Sequence, residues 1–182
     1  MRRLLRWMRT HPKLTTAGLA FGAAVTVFGF VWFEPHKLFV DERVDEALPA
    51  GMAPIGTPGP SGTPDAGGGV LSEGTFRPLE HDASGRALIV QTAEGTRFVR
   101  FEDLDVSNGP DLVVYLSELG PDQGWRDADD AEFVDLGELK GNMGDQNYEL
   151  PASVDLSRFH SVVIWCRRFS VGFAVAPISV SG

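Results

Sequence analysis

The feature that most restricts what this chain can fold into is an uncharged run near its start, "LTTAGLAFGAAVTVFGFVWF", residues 14–33. Wound as a helix rising about 1.5 Å per residue, it would be about 30 Å long, the hydrocarbon thickness of a bilayer. Five basic residues (Arg2, Arg3, Arg6, Arg9 and Lys13) precede the run, and Trp32 and Phe33 close it. Positive charge before the span and aromatic rings at its far end predict one N-terminal transmembrane helix over 14–33. Residues 1–13 are then a cytoplasmic basic tail, and the chain from Glu34 onward is extracytoplasmic. A cleaved signal peptide would have a shorter apolar region followed by a small-x-small site, whereas "EPHKLF" follows here. A retained anchor in the cell membrane is the expectation. Gly18 and Gly22 form a G-x-x-x-G pair, a weak signal because glycine is common in membrane helices.

The charges divide at the same boundary. All 25 acidic residues lie at or after Glu34, against 11 of the 16 basic ones. A surface of that sign repels nucleic acid and anionic headgroups, so no nucleic-acid partner is expected, and the membrane is met through the N-terminal helix. The single cysteine excludes an intrachain disulfide framework and any zinc site built from several thiolates.

Residues 34–71 read as a juxtamembrane segment and linker. "HKLFVDERVDEALP", 36–49, has the spacing of a short amphipathic surface helix with Leu38, Val40 and Val44 on its apolar side. From residue 49 to 69 come five prolines and seven glycines with little to bury, the composition of a flexible tether.

The remainder, 72–180, is β-rich. "ALIVQT" (87–92) and "TRFVRF" (96–101) flank the turn residues "AEG" as a hairpin. "DLVVYLS" (111–117), "AEFVDLG" (131–137), "VVIWC" (162–166) and "VGFAVAPI" (171–178) are further short strands. With no long helical pattern among them, these segments predict an all-β domain, an antiparallel β-sandwich or barrel-like fold.

Candidate chemistry is sparse. Strand parity groups Cys166 with Val162 and Ile164 and directs it inward, while Trp165 and Arg167 share the face expected to be wetter. A buried apolar thiol is inert, whereas Arg167 and Arg168 beside it would favour the thiolate at a sheet rim. "KGNMGDQNY" (140–148) reads as a polar loop in which Asn142, Gln146 and Asn147, with Tyr148, either bond their own backbone or line a recognition surface. "NGPDL" (108–112) reads as a turn in which Asn108 and Gly109 tolerate positive φ.

His81, His160, Cys166 and Met143 match the inventory of a blue-copper site. The spacing does not match, because no His or Met follows Cys166, so copper is disfavoured. Haem held by the Cys166 thiolate is chemically compatible, although no C-x-x-C-H motif is present. The acidic stretch "RDADDAEFVD" (126–135) lacks the glycine and terminal glutamate of an EF-hand loop. With no P-loop, G-x-G-x-x-G, H-E-x-x-H or G-x-S-x-G, nothing marks a hydrolase or nucleotide enzyme.

Four blocks carry a family resemblance: "GTFRPLEHDASGRALIV" (74–90), "NGPDLVVYLS" (108–117), "VDLGELKGNMGDQNYELP" (134–151) and "SVVIWCRRFSVGFAVAPI" (161–178). Together and in this order they resemble a DM13 domain, here in a membrane-anchored protein of bacterial type. The resemblance implies a β-sandwich on a surface or membrane-anchored protein. It also implies electron transfer or oxidative modification through the cysteine of the I-W-C block, which is Cys166. Three readings follow: an extracytoplasmic redox module acting on a protein or small-molecule partner through Cys166, a non-catalytic binding module with Cys166 in its core, or a structural surface domain.

Overall fold

Alternating side chains along the β-rich segments demand two facing layers, and two layers form. The computed structural model describes residues 12–33, 40–52, 68–123 and 131–180. Residues 1–11, most of the linker (53–67) and the acidic positions Asp127, Asp129 and Asp130 lie outside the described residues. The contacts divide the chain into two units, Met1–Lys37 and Leu38–Gly182.

The first unit holds helix α1 (Pro12–Phe33), over the uncharged run. Leu14, Leu19, Phe21, Val25, Val27, Phe28 and Val31 are all exposed on it. The hydroxyls of Thr16 and Thr26 donate to the carbonyls of Pro12 and Gly22, both at 2.9 Å, so they are satisfied within the helix. Among the described residues no helix is long and apolar enough to cross a membrane. The span expected over 14–33 is not shown by the described residues.

The described residues of the second unit form ten strands: β1 (Arg43–Asp45), β2 (Gly69–Thr75), β3 (Arg77–Pro78), β4 (Ala83–Gln91), β5 (Arg97–Val106), β6 (Leu112–Ser117), β7 (Phe133–Glu138), β8 (Met143–Leu150), β9 (Ser161–Cys166) and β10 (Val171–Pro177). They form one sheet in the order β1-β8-β5-β4-β2 and another in the order β3-β10-β9-β6-β7. Every pairing is antiparallel except β1 with β8. Two antiparallel-rich sheets are consistent with the expected sandwich. Ala87, Ile89, Val99, Phe101 and Leu104 of the first sheet pack in one core with Val114, Leu116, Val162, Ile164 and Cys166 of the second.

The β4–β5 hairpin closes as its turn residues predict. Thr92 N–H donates to the Thr96 carbonyl at 2.8 Å, and Gly95 supplies a φ of 88° that a side chain would oppose. Elsewhere the sequence misled. The segment expected as a polar loop over 140–148 is mostly strand β8, whose even-numbered residues Gly144, Gln146, Tyr148 and Leu150 are buried. Its inward glutamine is what makes it read as a loop.

The segment expected as an amphipathic helix over 36–49 is extended where it is described, and it contributes β1. It acts as a strap. Glu42 N–H donates to Asn142 Oδ1 at 2.7 Å, and Asn147 Nδ2 donates to the Ala47 carbonyl at 2.8 Å. Lys140 Nζ meets Glu46 Oε1 at 2.7 Å. Met52 bridges Gly68, so the two described ends of the expected tether meet each other.

Beneath the strap lies Arg100, with only 4% of its side chain exposed. It bonds Glu102 (3.0 Å), Asp145 (2.8 Å), Asn147 (2.9 Å) and the Glu46 carbonyl (3.2 Å). A buried guanidinium needs that many acceptors to offset its lost hydration. Removing it takes a cation from Asp145 and Glu102, the latter keeping only Arg86 at 2.7 Å, and leaves the Glu46 carbonyl and Asn147 Oδ1 without this donor. Arg100→Ala should therefore cost about 3 kcal/mol in denaturant unfolding. A loss within about 0.5 kcal/mol, the ordinary surface range, would show that the ion cluster does not hold the strap.

Candidate functional site

Cys166 ends β9, the middle strand of its sheet, and its side chain is fully buried in the core between the sheets. Facing inward with Val162 and Ile164, it follows the strand's parity. The other face was expected to be wetter, yet all six residues of β9 are buried. Trp165 and Val163 pack there with Val113, Tyr115 and Val175 into a second cluster, against which Leu79, Leu119 and Phe133 also pack. A central strand covered on both sides reads as a continuous apolar run.

The sulfur is enclosed by backbone. Sγ donates to the Pro110 carbonyl at 3.1 Å, and the N–H groups of Arg168 and Phe169 in the following turn point back at it. That turn is fastened to the 108–112 segment. Arg167 N–H donates to the Asp111 carbonyl at 3.2 Å, and its guanidinium NH2 to Asp111 Oδ1 at 3.1 Å. Asp111 and Ser170 adopt φ of 68° and 48°. In "NGPDL" the left-handed residue is thus Asp111 rather than Asn108 or Gly109. Gly109 is needed for closeness: a Cβ there would come within 2.7 Å of Phe173 Cζ. Phe173 in turn carries His81, stacked on it at 3.9 Å between ring centroids.

Burial pushes the Cys166 thiol up, and the Asp111 carboxylate adds to the effect; the turn N–H groups and Arg168 pull the other way without reversing it. Arg168 thus acts in the expected thiolate-favouring direction but does not outweigh burial. Arg167 is bound to Asp111 and lies 3.6 Å from Asp135. The thiol stays neutral near pH 7.

The candidate metal donors do not converge. Cys166 ends β9, whereas His160 precedes its first residue and is exposed. Among the described residues no group of three or more His, Cys, Asp and Glu could hold a metal ion. Haem fares no better, because the sulfur's approaches are filled by Pro110 and the 167–170 turn. Two open cavities, of about 830 and 330 Å³, are lined by other residues. The residues present fit neither group.

The candidate recognition residues are engaged with their own chain. Asn142 Nδ2 donates to Asp41 and to the Val106 carbonyl at 2.9 and 3.1 Å. Gln146 Nε2 donates to the Gly141 carbonyl, and its Oε1 accepts from Tyr148 Oη, both at 2.7 Å. Asn147 Oδ1 accepts from Arg100, completing the cluster under the strap. Sequence reasoning missed Arg100, because an arginine in an alternating strand reads as solvent-facing. It also missed the covered outer face at Trp165 and Tyr115, for which the unbroken apolar run of β9 was the available signal.

A pH dependence follows. Because folding raises the thiol's pKa, the stability gained from keeping it neutral is fully present below about pH 8.5, the ordinary thiol value. It is lost as pH rises through the higher folded value. Unfolding measured across the alkaline range should show a decline that Cys166→Ala removes; equal slopes for the two proteins would contradict the burial of the thiol.

No curated protein and no solved structure matches the chain. The family model described as Electron transfer DM13 does match, over residues 75–178, which covers more than half of the chain and runs from the end of β2 past Cys166 through β10. The protein therefore belongs to the DM13 family.

Proposed function

We propose that this protein is an electron-transfer module tethered at a membrane, with its β-domain outside and Cys166 as the redox group. The observation that carries the reading is the setting of the only sulfur in the matched electron-transfer domain that can change its protonation state. It lies at the start of the β9–β10 hairpin turn, fully buried and faced by two backbone N–H groups of that turn. N–H donors aimed at a sulfur stabilise its more negative state and so tune its potential. With the thiol neutral and enclosed, exchange with a protein or small-molecule partner requires the 167–170 turn to open.

Redox titration or film voltammetry of the full chain should give a wave that Cys166→Ser abolishes. A second reading has an observation of its own in its favour. Full burial and the bond to Pro110 suit a packing cysteine in a non-catalytic binding or interaction module. On that reading no wave appears, and Cys166→Ser replaces the buried thiol with a hydroxyl at a cost of about 1–3 kcal/mol.

Membrane attachment rests on the sequence of α1 over its whole length: a 20-residue uncharged run after a basic cluster, with Trp32 and Phe33 at its end. Large apolar side chains, among them Leu19, Phe21 and Val31, are exposed along it. Protease added to intact cells should remove the β-domain. A fully protected domain, or one released by washing with high salt, would overturn the extracytoplasmic tether.

A further inference from the structure

The outer face of the second sheet carries an aromatic row. In register, Trp165 faces Val113 and Tyr115 faces Val163 across β9 and β6, so the two aromatic residues are diagonal neighbours on one face. Such neighbours lie about 7–8 Å apart, within reach of large rings. Both are buried, at 2% and 6% exposure, and both belong to the outer cluster. From Tyr115 the row continues to Phe133, stacked at 4.3 Å between centroids on the half-buried edge strand β7.

Indole and phenol are the side chains most readily oxidised by one electron apart from sulfur, and burial shields their radicals from water. A phenol must also shed its proton when it is oxidised. Tyr115 faces Asp135 directly across β6 and β7, and Asp135 is exposed and pairs with Arg167 at 3.6 Å. The chain's other tyrosine, Tyr148, differs in this respect: it lies in the core between the sheets, and its hydroxyl donates to an amide, Gln146 Oε1.

We propose that Trp165 and Tyr115 form a relay that moves single electrons from the β7 edge to the Cys166 end of β9. This deepens the electron-transfer reading above and rests on it. A one-electron acceptor at the β9–β10 hairpin takes an electron from Trp165, leaving the indole radical cation. Tyr115 then returns an electron to Trp165 and gives its phenolic proton to the Asp135 carboxylate, becoming a neutral radical. A one-electron outer-sphere donor at the Phe133 edge reduces that radical, and Asp135 returns the proton. The net change is one electron passed from donor to acceptor, with both side chains restored.

The test uses the full chain and tris(bipyridyl)ruthenium(III), photogenerated with persulfate as sacrificial acceptor, and follows radicals by transient absorption and paramagnetic resonance. A tyrosyl radical should form in the wild type and in Tyr148→Phe but not in Tyr115→Phe. Its rise should be several-fold slower in Trp165→Phe, with an unchanged circular dichroism spectrum. Asp135→Asn, a surface change that keeps the fold, should slow the rise as well. An unchanged rise in both Trp165→Phe and Asp135→Asn, or a radical that persists in Tyr115→Phe, overturns the relay. Should Trp165→Phe fail to fold, an unchanged rise in Asp135→Asn alone overturns it. This readout does not involve the thiol. A missing Cys166 wave with intact radical transfer would therefore sink the cysteine assignment and leave the relay standing.

Discussion

The burial of both faces of β9 is the constraint on which the rest of the domain depends. One face supplies Val162, Ile164 and Cys166 to the core between the sheets; the other supplies Val163 and Trp165 to the outer cluster. Each fully buried large apolar side chain contributes about 1.5–3 kcal/mol, so this short strand anchors two packed layers at once. Its neighbours are determined accordingly. β6 and β10 must flank it in register, and the polar ends of the strand must be closed by turns that satisfy their own backbone. At the Cys166 end that closure is the 167–170 turn fastened to Asp111, and it is the same closure that makes the thiol inaccessible.

The first sheet meets a different demand. Its outer face carries Arg100 rather than an apolar row, and a guanidinium so nearly excluded from water is held by carboxylates, an amide and a carbonyl contributed by three segments. The strap of residues 40–47 covers it and leads back along the sequence toward α1. The domain in the structural sense therefore begins well before residue 75, where the family match starts. The described ends of the linker, Met52 and Gly68, bridge each other.

Much of this was legible in the residues, for physical reasons that can be named. The hairpin over 87–101 was, because a polar turn with glycine separates two apolar runs. The inward face of Cys166 was, because a strand's period of two admits no compromise. β8 was not, because its buried positions hold glycine, glutamine and tyrosine, whose polar atoms are paired with Gly141, Gln146 and Lys140 in a way only the fold reveals. β1 was not, because three residues are too few to display a period, and its pairing is set by side-chain bonds from Asn142 and Asn147. The candidate site was half legible. The cysteine and its strand could be read, but the carbonyl of Pro110, 56 residues away in sequence, could not.

The account stands or falls on the closure of the 167–170 turn over Cys166. The direct measurement is the rate at which a small disulfide reagent labels the thiol in the native protein, followed as denaturant is raised from zero. Labelling should be far slower than for a free cysteine and nearly independent of denaturant at low concentration, the mark of local opening of a short turn. It should become steeply dependent only as global unfolding takes over. Labelling at the free-cysteine rate would contradict the enclosure of the thiol. Labelling that follows global unfolding at every concentration would contradict the opening that the electron-transfer reading requires.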